Sequence, residues 1–244
     1  MTTAAEYEVI AFAAHPDDAE ATCGGTLAKL AGRGRQVAIC DLTRGELGTN
    51  GTPELRAGEA AAAARALGIA GRLQAGLPDG GINALDPAQV ATVVRLLRRH
   101  RPRVVMAPPP ETRHPDHAEA CRLVARAVFF TAVPRFAPET PAARRPVLLQ
   151  TSDYWPVAPS FVVDISATLE VKLAALRCYR SQFSRDGGTA PTPLNDPAYL
   201  RRIEADARHY GHLAGLGAGE PFRVEGAIAV DDPLEFFAVR EVQP

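Results

Sequence analysis

Apolar and polar positions along the chain fall into two alternating rhythms. Unbroken apolar runs at Glu8–Ala14 (EVIAFAA), Gln36–Leu42 (QVAICDL) and Arg103–Ala107 (RVVMA) predict strands buried on both faces. A strand with one wet face would instead alternate apolar and polar residues. Arg72–Ala75 predicts a further short strand. Helical patterns separate these runs. Gly25–Ala31 begins one helix, and Pro53–Leu67 is an alanine-rich helix with proline at its start. Pro87–His100 gathers Val90, Val93, Val94 and Leu97 on one side, and Pro115–Thr131 follows the strand at Arg103–Ala107.

After a Pro/Ala/Arg-rich surface connection at Pro134–Pro146, strands are predicted at Val147–Asp153 and Phe161–Asp164. A helix near Ser166–Arg180, a polar loop from Ser181 to Asp196, a helix near Pro197–Leu213 and a strand around Phe222–Val230 complete the chain. The β-α alternation predicts an α/β fold: a Rossmann-like three-layer αβα sandwich around a mostly parallel sheet. With no repeat, low-complexity tract or boundary in view, residues 1–244 read as one domain.

The 27 basic and 28 acidic residues nearly cancel, leaving a net charge of −1. That balance argues against non-specific binding of nucleic acid or anionic membrane. Only Lys29 and Lys172 among the basic residues are lysines. Cys23, Cys40, Cys121 and Cys178 are widely spaced and form no CxxC pair, so reduced thiols and a cytoplasmic setting are the expectation. EVIAFAA is too short for a signal core or a membrane span.

Chemistry concentrates in two clusters. The first strand runs into His15-Pro16-Asp17-Asp18, and the strand at Arg103–Ala107 leads to Arg113-His114-Pro115-Asp116-His117. In the common 3-2-1-4-5 strand order these two strands are neighbours at the switch point, where ligands bind. The first βα turn lacks GxGxxG and carries two carboxylates, which excludes a bare pyrophosphate. His15, Asp18 and His117 can supply the two imidazoles and one carboxylate of a catalytic zinc site. Asp17 can act as general base towards water. His114 can steady an oxyanion or protonate a leaving amine, and Asp116 can orient one of the histidines. The plainer alternative for each aspartate is a helix N-cap. Cys23 reads as a small buried hydrophobe, and His100, His209 and His212 as structural residues.

With AHPDDAE at Ala14–Glu20 and RHPDH at Arg113–His117, the sequence resembles the LmbE-like (PIG-L) family of zinc-dependent N-deacetylases. The blocks CDLTRGELGTNGTPELR (Cys40–Arg56), GLPDGGI (Gly76–Ile82) and YRSQF (Tyr179–Phe183) bring it nearest the bacillithiol-biosynthesis deacetylases. That resemblance implies hydrolysis of N-acetylglucosaminyl-malate to acetate and glucosaminyl-malate, with another N-acetylglucosamine derivative as the alternative. A non-catalytic sugar-binding module is the rival of another class. The resemblance also implies zinc, with iron(II) able to share the ligands, and assembly as a trimer or hexamer. His15, Asp18 and His117 fall on the family's metal ligands, Asp17 on its base, and His114 and Asp116 on its acid and carboxylate partner. Arg56 and Arg113 fall on arginines near substrate. Glu46 and Asn50, in the loop after the second strand, are candidates to contact sugar hydroxyls.

Overall fold

The computed structural model describes residues 6–153, 155–185 and 189–232. In chain order the elements are β1 (Val9–Ala13), α1 (Asp18–Gly32), β2 (Val37–Asp41), α2 (Pro53–Leu67), β3 (Gly71–Gln74), α3 (Pro87–His100), β4 (Val104–Ala107) and α4 (Pro115–Thr131). They continue with β5 (Val147–Thr151), β6 (Phe161–Asp164), α5 (Leu169–Arg177), α6 (Arg180–Phe183), α7 (Tyr199–Leu213) and β7 (Gly219–Arg223). The sheet order is β3-β2-β1-β4-β5-β7-β6. The first five strands of that order are parallel, as predicted, and β7 runs antiparallel to both β5 and β6.

The unbroken apolar strands are covered on both sides. Ile10, Phe12, Ala38 and Cys40 point into a core shared with Val90, Val94 and Leu97 of α3 and Leu123 of α4. Val9, Ala11, Val37 and Ile39 point the other way, against Leu27 of α1, Ala63 of α2 and Tyr179. Burial on both faces fixes strand register, since a slip by one residue would exchange the two sets. Among the described residues no helix is long and apolar enough to cross a membrane.

Two elements differ from expectation. α1 begins at Asp18, not Gly25, so the glycine pair lies inside the helix. A Cβ at Gly25 would meet Ile165 Cδ1 at 2.8 Å and its Cβ at 2.9 Å, so glycine here serves helix-to-loop packing and not a turn. The last strand is Gly219–Arg223, and 224–230 contain no strand. Pairing stops where β6 runs out: Phe222 pairs Phe161, and Val224 N–H turns to Ser160 Oγ at 3.0 Å. A buried ion pair ties β7 to the helices. Glu220 accepts from Lys172 Nζ at 2.7 Å and from the N–H groups of Gly25 and Thr26 at 2.9 and 2.7 Å.

Gly25→Ala is expected to destabilise the fold by about 1–2 kcal/mol, the overpacking cost exceeding alanine's ~1 kcal/mol gain in helix propensity. Thermal unfolding should show a Tm several degrees lower. An unchanged or raised Tm would mean that Ile165 retreats at little cost.

Candidate active site

β1 delivers the first cluster to the carboxyl edge of the sheet with an unusual backbone. Asp17 has φ 106° and ψ −26°, a left-handed conformation that costs a non-glycine residue about 1–3 kcal/mol. Its side chain makes no cap hydrogen bond, so the N-cap alternative fails for this residue. The carboxylate instead faces Arg56, whose Nη2 lies 3.3 Å from Asp17 Oδ2 and donates to Pro16 O at 2.6 Å. Arg56 Nη1 donates to Gly45 O at 3.2 Å. Gly45 must be glycine: its φ is 70°, and a Cβ there would sit 2.0 Å from that Nη1. Arg56, 4% exposed, is thus a buried brace between two loops and Asp17.

β4 delivers the second cluster to the same edge, and three side chains converge. Asp18 Oδ2 lies 3.3 Å from His15 Nδ1 and 3.2 Å from His117 Nε2. Ligand atoms bound tetrahedrally at zinc's usual bond lengths are separated by about 3.3 Å. The far nitrogens of both rings meet carboxylates. His15 Nε2 lies 3.0 Å from Asp79 Oδ1 and 3.4 Å from Asp116 Oδ2, and His117 Nδ1 lies 2.7 Å from Asp153 Oδ2. Carboxylates behind histidines fix tautomer and ring orientation in metal sites. Asp79 also accepts from Leu47 N–H at 2.7 Å, Asp116 from Gly80 N–H at 2.7 Å, and Asp153 from the Thr112 hydroxyl. The ligand-capable atoms of His15, His114 and His117 also converge, as do those of His15, Asp79 and Asp116. Asp79 and Asp116 approach His15 from its Nε2 side, whereas Nδ1 faces Asp18, whose Oδ2 also accepts the His15 N–H at 2.8 Å. The donor set therefore fits a divalent cation held through His15 Nδ1, Asp18 and His117.

The electrostatics agree. Burial alone would depress the His15 imidazolium, yet hydrogen bonds to Asp116, Asp18 and Asp79 hold its pKa up at about 12. His117 responds in the same way to Asp18 and Asp153, reaching about 10 against the opposing pull of burial. The carboxylates thus create a field that favours positive charge at this point. Asp17, only 5% exposed, differs from its neighbour: burial pushes its carboxyl up to about 8, against the opposing charge of Arg56. Burial also works against the Asp18 carboxylate, but the His117 and His15 rings hold it well below the ordinary range.

His114 caps α4, its Nδ1 accepting the Asp116 N–H at 3.2 Å. A neutral ring with Nδ1 accepting carries its proton on Nε2. Burial and then the neighbouring His117 and His15 charges lower its pKa, favouring that neutral form. The Asp116 carboxylate turns towards His15, so it supports that ring and not His114.

A cavity of about 780 Å³ opens over the cluster, lined by His15, Asp17, Asp18, Arg56, Asp79, Arg113, His114, His117 and Asp153, and also by Tyr199, Arg202 and Asp206 of α7. Glu46 and Asn50 are not among the lining residues. Glu46 is exposed and accepts Arg44 N–H at 3.2 Å. Asn50 is buried and bonds Ala190 through both ends of its amide, at 2.9 and 2.8 Å. Asp79, Asp153, Tyr199 and Arg202 were not anticipated. Asp79 lies inside GLPDGG, and Asp153 stands just past the end of β5, the strand beside β4.

Residues 10–128 match the PIG-L family, described as GlcNAc-PI de-N-acetylase. The diacetylchitobiose deacetylase of Thermococcus kodakarensis is 32% identical, the alignment covering 88% of this chain and 82% of the relative. The chain belongs to the PIG-L family. Another relative, the 1D-myo-inositol 2-acetamido-2-deoxy-alpha-D-glucopyranoside deacetylase 1 of Catenulispora acidiphila, is 30% identical over 84% of this chain and 75% of its own length. Among solved structures, the conserved protein TT1542 from Thermus thermophilus superimposes with a TM-score of 0.83 at 40% identity, covering 92% of this chain and 98% of that one. The seven-stranded, mostly parallel PIG-L sheet with helices on both sides is thus the fold in hand.

Arg56→Met should remove the brace from Asp17, Pro16 and Gly45 and cost about 3 kcal/mol, as loss of one partner of a buried pair does. Chemical denaturation reads this directly. Wild-type stability in the variant would show that Arg56 is free to serve a ligand instead.

Proposed function

We propose that this chain is a metal-dependent hydrolase that removes the acetyl group from an N-acetylglucosamine derivative. The observation that carries the reading is the Asp18 carboxylate set 3.3 Å from His15 Nδ1 and 3.2 Å from His117 Nε2, with the buried Asp17 beside it. His15, Asp18 and His117 would hold the metal, zinc or iron(II) by donor type. When bound, such an ion supplies Lewis acidity, lowering the pKa of water to about 7 and polarising an amide carbonyl.

The chain's own residues account for the proton traffic. Asp17 takes the proton of the attacking water, and its burial keeps it basic enough to do so. His114, protonated on Nε2, donates a hydrogen bond to the oxygen on which charge develops. As the C–N bond breaks, the proton held at Asp17 passes to the leaving nitrogen, giving acetate and a free amine. Asp79 and Asp116 hold His15 in place, and Asp153 holds His117. Arg113 lines the cavity and can meet substrate there. Arg56 acts through Asp17.

The substrate reading favours the alternative over the malate glycoside. The relatives are named for diacetylchitobiose and an inositol glycoside, whose second units are uncharged. The cavity agrees. Asp17, Asp18, Asp79, Asp153, Asp206 and Glu220 face Arg56, Arg113, Lys172 and Arg202 across its walls. Arg56 is already spent on Asp17, Pro16 and Gly45, which removes one of the two arginines that could meet malate's carboxylates. Amine release from diacetylchitobiose and from N-acetylglucosaminyl-inositol should therefore exceed release from N-acetylglucosaminyl-malate. Preference for the malate glycoside in the zinc-loaded enzyme would reverse this choice, and no release from any of them would remove the proposed activity.

Asp17→Asn is expected to keep one metal per chain while losing at least ~10²-fold in kcat. Asp18→Ala is expected to lose the metal itself. Elemental analysis beside the rate assay separates the two roles, and a fully metallated Asp18→Ala protein would overturn the ligand set.

A further inference from the structure

The YRSQF block (Tyr179–Phe183) has no part in the mechanism, yet its Gln182 lines the same cavity as His15, Asp17 and His117. We propose that Gln182 is a specificity-determining residue whose Oε1 accepts a hydrogen bond from a hydroxyl of the N-acetylated sugar. The inference rests on the deacetylase reading above and adds one group that reads the sugar itself.

The Gln182 amide is held in a single orientation. The residue is 6% exposed, and its Nε2 donates to Asn50 O at 2.8 Å and to Ser181 Oγ at 3.0 Å. Neither bond can be reversed. A backbone carbonyl only accepts, and the Ser181 hydroxyl spends its proton on Glu59 Oε2 at 2.6 Å. Glu59 Oε1 accepts the Ser181 N–H at 2.8 Å, which fixes that carboxylate in turn. A flipped amide would set oxygen against oxygen. Oε1 is therefore the atom left over: it has no hydrogen-bond partner among the described residues, and it is not sealed from the cavity that Gln182 lines.

The anchor beneath it is rigid. The Asn50 side chain bonds the N–H and the carbonyl of Ala190 at 2.8 and 2.9 Å, and Asn195 Nδ2 donates to the same carbonyl at 2.8 Å. Three buried amides, Asn50, Gln182 and Asn195, thus knot the loop after β2 to the chain after α6. That loop also carries Gly45, whose carbonyl receives Arg56, the brace of Asp17. An acceptor fixed in this way loses little freedom on binding, and leaving it unmet beside a bound ligand costs about 1–3 kcal/mol. Sugar hydroxyls are the donors that fit, since they lie on the rim of the ring and can turn their protons towards a fixed oxygen.

The test sets the 3-deoxy, 4-deoxy and 6-deoxy forms of N-acetylglucosamine beside the parent sugar in the zinc-loaded full chain. In the wild type, loss of one hydroxyl should lower kcat/KM at least ~5-fold. In Gln182→Met the same loss should cost less than twofold, because the acceptor is already gone. The variant's defect on the parent sugar should fall on KM more than on kcat. A purely structural role for Gln182 would slow all four sugars and leave the ratios between them unchanged. Gln182→Asn, which withdraws the oxygen by one carbon, makes the same comparison if the methionine variant does not fold. Four sugars within twofold of one another in the wild type would overturn the proposal, as would a deoxy penalty of equal size in wild type and variant. If the wild type releases amine neither from these sugars nor from diacetylchitobiose, the deacetylase reading fails on its own. Wherever the four sugars give no measurable rate, their calorimetric binding decides: a deoxy penalty that disappears in the variant supports the proposal, and equal or absent binding overturns it.

Discussion

β1 and β4 lie side by side and parallel, with Val9 opposite Val104, Ile10 opposite Val105 and Ala11 opposite Met106. Both strands therefore release the chain at the same end of the sheet. β2 and β3 continue the sheet on one side of this pair and β5 on the other, so the helices leaving β1 and β4 diverge and open a crevice. His15 and Asp18 enter it from one lip, and His114 and His117 from the other. No local feature of either motif brings them together. The strand pairing does, and burial of Ile10 and Ala11 into opposite cores fixes its register.

Within the crevice the dominant constraint is a surplus of carboxylate. Asp18, Asp79, Asp116 and Asp153 surround two imidazoles, and both rings respond by holding protons strongly. A site that raises imidazolium stability in this way is built to bind positive charge. Asp17 stands next to this cluster but answers to a different environment. Its strained backbone turns the carboxylate towards Arg56 and away from the helix N–H groups. Two adjacent aspartates thus acquire opposite properties, one strongly ionised and one poised to exchange a proton. Such splitting by environment is how neighbouring carboxylates divide acid–base and ligand roles.

The helices at 53–67, 87–100 and 115–131 were legible because their signals are local, and the order of the first five strands because it is the common doubly wound one. Each of those helices starts at a proline whose missing N–H is harmless there. The start of α1 was hidden because Gly24-Gly25 reads as a turn, while the reason for glycine is Ile165, distant in sequence. The last strand was placed too late, from Phe222, because Pro221 sits within β7, between two neighbouring strands, where proline rarely occurs. At the site, the paired motifs were legible because histidine and aspartate recur at short spacing. Asp79 and Asp153 were not, since a lone aspartate after a strand carries no pattern until the fold sets it behind a histidine. Arg56 was legible as important, but its direction was not: only the loop at Gly45 shows that its fork is spent inside the protein.

The burial of Arg56 bears on the choice of substrate. The residues that resemble a deacetylase most strongly lie between 15 and 117, and on the proposed reading they serve the attack on an amide and say nothing about what hangs from the sugar. The malate reading places Arg56 and Arg113 near substrate, and Arg56, buried with three oxygen partners, is not free for that role. With that fork spent inside the protein, shape and hydroxyl pattern take a larger part in distinguishing one aglycone from another on the proposed reading.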